Sequence, residues 1–144
     1  MQHYSAFDVS CHIVGSSIDA GEPVSNLQLQ KILYFVQVGY YAKRHEFLFE
    51  DDFEAWQYGP VVPEVYRLFS IWGGDKITRK PAMSHRTLSE SDKALIDPII
   101  CEKRNKAPWT LVAEAHAEGS PWRHTMSTKG DRGVISKALI CASI

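Results

Sequence analysis

The stretch from Ser25 to Lys43, SNLQLQKILYFVQVGYYAK, leaves the chain few ways to fold. Ser25 can cap a helix, and Gln28 stands three residues on, the spacing of a reciprocal capping box. Leu29, Ile32, Leu33, Val36 and Tyr40 recur at the i, i+3, i+4, i+7 rhythm of one helix face. Leu27, Tyr34, Phe35, Val38 and Tyr41 put apolar groups on the remaining sides. A helix that is apolar nearly all round must lie inside a domain. Gln30 and Gln37, one heptad apart, mark a narrow polar stripe on it.

Other segments can be arranged around that helix. Ser5 with Asp8 predicts a helix start, and Phe7, Cys11, Val14 and Ile18 predict its buried face. Ala20-Gly21 and Pro23 end it, so the first two helices form a closely spaced antiparallel pair. Phe53 to Tyr58 reads as a strand or extended segment, followed by Gly59-Pro60-Val61-Val62-Pro63. Pro63 suits the first turn of a helix with Val65, Leu68, Phe69 and Trp72 facing inward, stopped by Gly73-Gly74. Asp75 to His85 reads as a solvated loop or short hairpin. Ser89 and Asp92 cap a helix with Leu95, Ile96, Ile99 and Ile100 buried and Pro98 kinking it. Pro108 opens a helix to about Glu118-Gly119, Arg123 to Lys129 reads as loop, and Asp131 caps a last helix. The sum is a mainly α protein: one compact helical domain over 1–144, with a short β element after the second helix.

Composition narrows the function classes. Of 144 residues, 44% are hydrophobic and 23% charged, which suits a globular domain with one core. A formal net charge of −1 carries no electrostatic footprint for nucleic acid. Only Lys76, Arg79, Lys80 and Arg86 cluster, leaving a local patch as the one place for such a contact. Cys11, Cys101 and Cys141 lack zinc or redox spacing and read as three reduced thiols of a cytoplasmic protein. No signal peptide is visible at MQHYSAFDVS, and no run nears the roughly 20 apolar residues that span a bilayer.

Catalytic patterns are missing from the sequence. It contains no H-E-x-x-H, no G-x-S-x-G and no glycine-rich phosphate loop. His116 lies near Glu114 and Glu118, but residues two apart point about 200° apart on a helix. No metal or cofactor is expected. The stretch Phe53 to Tyr66 differs in kind. Trp56, Tyr58, Pro60, Pro63 and Tyr66 form a rigid amphipathic set, the residue types that anchor interfaces at low entropic cost.

At that stretch the chain resembles a known family. FEAWQYGPVVPEVYRLF is similar to the signature of the Panacea domain, the SocA-like antitoxin family. SAFDVSCHIV and PVSNLQLQKILYFVQ resemble its N-terminal helices, and WTLVAEAHAEGSPW with KGDRGVIS resembles its C-terminal part. The blocks run in order from about Tyr4 to about Ala142. Ala115 departs from the hydroxyl residue expected before the histidine. The resemblance implies a non-enzymatic antitoxin without cofactors. Its partner would be a cognate protein toxin encoded by a neighbouring gene, bound directly. It also implies one alternative, an adaptor delivering bound toxin to a AAA+ protease; a further alternative is a phage-associated regulator binding nucleic acid through Lys76 to Arg86. Members occur in phages and prophages, and a homo-oligomer stays open. The contact surface is expected among the exposed members of Gln30, Lys31, Gln37, Trp56, Tyr58, His116 and Trp122.

Overall fold

The computed structural model describes residues 4–82 and 85–144. Among them the chain forms seven α-helices and one small sheet. α1 (Ala6–Asp19) and α2 (Asn26–Arg44) both begin with the complete capping boxes that their sequences specify. β1 (Phe53–Trp56) and β2 (Gly59–Val61) form a hairpin, followed by α3 (Pro63–Phe69) and a 3-10 turn over Ser70–Trp72. α4 (Glu90–Arg104), α5 (Pro108–Ala115), α6 (Pro121–Lys129), β3 (Gly133–Ile135) and α7 (Lys137–Ala142) complete the chain. The sheet is antiparallel in the order β2-β1-β3.

α2 occupies the centre, touching α1, α3, α4, α5, α7 and β2. Leu29, Ile32, Leu33 and Val36 are wholly buried there. Removing such side chains from water supplies the main folding force. Gly39 lets α4 approach closely, since an added Cβ would lie 2.4 Å from Ile99 Cδ1. The polar stripe on α2 is buried as well, and it holds loops. Gln37 Nε2 donates to Phe49 O at 2.8 Å, while its Oε1 accepts from Leu48 N at 2.9 Å. Gln30 Oε1 accepts from Val62 N at 3.0 Å, and its Nε2 donates to Asn26 Oδ1. Each amide satisfies backbone groups that the core would otherwise leave unpaired.

The structure corrects several expectations drawn from sequence. On α1 the buried apolar face is Ala6, Val9, Ile13 and Val14, while Phe7, Cys11 and Ile18 lie at its margin. Two small hydroxyl residues, Ser10 and Ser17, complete the buried face and escape a hydrophobic pattern. Leu68 is exposed, while Val65 and Phe69 of the same short helix are buried. The segment 123–129 belongs to α6, opened by Ser120, whose side chain accepts from Arg123 N. Asp131 caps nothing: residues 133–135 join the sheet, and Ser136 caps α7. α5 stops at Ala115, three residues early. In the expected loop 75–85, Ile77 is buried and its N–H donates to Val24 O at 2.8 Å. Met83 and Ser84 of that loop lie outside the described residues, as do Met1–His3 of the N-terminal stretch.

No described helix is long and apolar enough to cross a membrane. The three cysteines are free thiols. Ile140 is buried, so the apolar C-terminal stretch packs as α7.

Candidate functional site

The first turns of α2, the β1-β2 hairpin, Tyr66 of α3, the start of α5 and the turn before β3 enclose a cleft of about 730 Å³. The hairpin sets one wall. Gly59 follows the turn with φ 117°, a conformation glycine adopts without a Cβ penalty. Pro60 has no N–H to donate. The two strands meet with Trp56 opposite Gly59 and Ala55 opposite Pro60.

Aromatic rings form the rim. Tyr58 is 46% exposed, Tyr66 37% and Trp109 61%. Trp56 meets Tyr66 edge-on at 5.0 Å, and Tyr58 meets Trp109 edge-on at 5.3 Å. Trp56 is held from two sides. Its indole N–H donates to Glu54 Oε1 at 2.9 Å, and its carbonyl accepts from Trp122 Nε1 at 2.7 Å. The Arg132 guanidinium lies 4.2 Å above the Trp56 ring, close enough for a cation–π attraction.

Lys31 lies beneath this rim, wholly buried, on the turn of α2 that faces the hairpin. Its stem passes Gly59 so closely that an added Cβ there would lie 2.9 Å from Cε. Nζ donates to Pro60 O at 3.0 Å. An ammonium has three donors, and no carboxylate pairs with this one among the described residues. Burial pushes its pKa down to about 7, because a charge in a low-dielectric setting is disfavoured.

His116 belongs to the same neighbourhood. Its ring stacks flat on Trp122, with centroids 3.6 Å apart, and its Nε2 is buried with no hydrogen-bond partner among the described residues. Burial, then repulsion from Lys31 and Arg123, holds its pKa below the usual histidine value. The ring is therefore a neutral stacking surface near pH 7. Its carbonyl accepts from Arg123 Nε at 2.8 Å, the helix-end contact to the following turn.

The sequence-named residues thus separate. Gln30, Lys31, Trp56 and Tyr58 meet in the cleft. His116 and the buried Trp122 stand behind its wall, and Trp122 anchors α6 to β1. Gln37 lies elsewhere and serves the loop after α2. Gln30, Gln37 and Lys31 are buried, so none of them is exposed in the free protein. Trp109 and Arg132 complete the cleft without having been singled out from sequence. Pro108 at the first turn of α5 was the available signal for Trp109, and the Gly130-Asp131-Arg132-Gly133 run for Arg132. Among the described residues no group of three or more His, Cys, Asp or Glu is placed to hold a metal. What the cleft offers is flat aromatic area beside a guanidinium.

Comparison with known proteins bears on what such a cleft is for. Residues 29–123 match the family model described as "Antitoxin SocA-like, Panacea domain". The matched region contains most of α2, the hairpin, α3, α4 and α5. The chain is also similar to a protein named Antitoxin SocA from Caulobacter vibrioides (strain NA1000 / CB15N), 36% identical over 110 residues. That alignment covers 69% of this chain and 58% of the relative, so the chain matches little more than half of the relative's length. No solved structure matches it. By the family match and this identity together, the chain belongs to the SocA-like antitoxin family that carries the Panacea domain.

Proposed function

We propose that this protein is an antitoxin that neutralises a protein toxin by binding it directly, and that the aromatic cleft is the surface that grips it. Family membership supports the antitoxin role. The observation that carries the choice of surface is the exposed rim of Tyr58, Tyr66 and Trp109 around a recess built on fixed elements. Large exposed apolar groups cost little if they are buried on association, and rings with few rotatable bonds lose little entropy there. The toxin is the product of a neighbouring gene, and no bond-making or bond-breaking step is assigned to the antitoxin.

Co-expression with each adjacent gene product tests this reading. One product arrests growth alone, is tolerated with this protein present, and co-purifies with it as a 1:1 or higher complex. If none of the adjacent products both arrests growth and binds, the reading is wrong.

A further inference from the structure

Arg132 gives the cleft a positive charge that the fold answers only weakly. The basic and acidic residues in its lining are Lys31, Arg132 and Asp131. Asp131 meets Arg132 only at 3.9 Å, between side chains that are both largely exposed. Exposed pairs of that kind contribute little. Arg132 is nevertheless held in place. Its backbone adopts the left-handed region with φ 66°, unusual for a side chain of its kind. Its N–H donates to Ala55 O at 2.7 Å, and its guanidinium rests on Trp56. A guanidinium stacked on a ring keeps its N–H edges free to bond outward. Beneath it, Lys31 has met one of its three donors.

We propose that the cleft recognises an acidic side chain on the bound toxin segment, with Arg132 taking its carboxylate and the aromatic rim taking the apolar residues beside it. This rests on the cleft being the toxin-binding surface. Arg132 is the direct contact, since its side chain is 66% exposed whereas Lys31 is covered. Lys31 lies below it with N–H groups to spare, beyond the one that meets Pro60 O. A planar guanidinium matches a carboxylate with two parallel hydrogen bonds, which a lysine cannot reproduce. Charge complementarity thus selects an acidic segment over a basic or purely apolar one.

Overlapping peptides covering the adjacent-gene toxin, with calorimetry on the full antitoxin, supply the test. The binding peptide contains an Asp or Glu flanked by apolar residues. Changing that acid to its amide weakens binding about 10-fold or more, the size of a charge-assisted hydrogen bond. Arg132→Ala weakens it similarly, Arg132→Lys restores only part, and the two changes combined cost little more than either alone. Additive losses, or a binding segment without a carboxylate, overturn the proposal. If whole toxin binds but Trp109→Ala and Arg132→Ala leave affinity unchanged, both the cleft assignment and this inference fail while the antitoxin role stands. If toxin and peptides fail to bind at all, the antitoxin reading itself fails.

Discussion

Gln37 and Lys31 are two buried polar residues on one helix, less than two turns apart, and the fold treats them in opposite ways. Gln37 has both ends of its amide filled by the backbone of the following loop. Lys31 has a single carbonyl partner and sits beneath an open cleft rimmed by aromatic side chains. A buried polar group bonded to backbone at each end belongs to the structure. One with bonding capacity left over, beside exposed rings, marks where stability has been given up, as functional sites commonly require. The same contrast extends outward. Tyr4 and Tyr40 both donate to buried Asp92, and Asp8 accepts from Ser5, Arg86 and His85 backbone N–H groups. Burial alone would raise the Asp8 pKa, yet those bonds outweigh it and hold it below the usual value. His116 Nε2, by contrast, has no partner among the described residues.

Substitutions can probe each side of the contrast. Gln37→Leu keeps the volume but strands Leu48 N and Phe49 O. It should cost about 2–4 kcal/mol in chemical denaturation, the penalty of two unmet buried groups. Toxin affinity of the folded variant should not change. Gly59→Ala strains a positive-φ position and crowds the Lys31 stem, so a loss of about 2 kcal/mol is expected in the same assay. Partial recovery in Gly59→Ala/Lys31→Ala would trace part of that loss to the lysine.

Lys31 also leaves a signature in pH. Its folded pKa of about 7 lies below its ordinary 10.5. Between those values the unfolded chain holds a proton that the folded chain has released. Stability therefore rises with pH through that window, by up to ~1.4 kcal/mol per unit. Lys31→Met should lose that rise between pH 7.5 and 9 relative to the wild type. Parallel pH curves for the two proteins would contradict an uncompensated lysine.

How far the sequence discloses this arrangement depends on the range of the forces involved. The capping boxes at Ser5 and Ser25 were legible because a cap is set by residues three apart. The burial of α2 was legible because its apolar residues leave no solvent face. β3 was not, since three residues carry too little pattern and its strand geometry comes from pairing with Phe53 and Glu54 far back in the chain. α6 escaped for a related reason: PWRHTMSTK has little apolar periodicity, and its buried residues Pro121, Trp122 and Thr125 gather at one end. In the cleft, Trp56, Tyr58 and Tyr66 stood out because they crowd one short stretch. Trp109 and Arg132 could join them only once α5 and the turn before β3 had been placed in space. Lys31 stood out by name, but nothing local in the sequence tells a buried lysine from an exposed one.

Trp109→Ala, assayed for unfolding free energy and for dissociation constant with the adjacent-gene toxin, separates fold from function in a single variant. The side chain is mostly exposed, so stability should stay within about 0.5 kcal/mol of the wild type. Affinity should fall about 10-fold or more, as for an aromatic anchor at an interface. An unchanged dissociation constant, with or without lost stability, would contradict the cleft as the gripping surface.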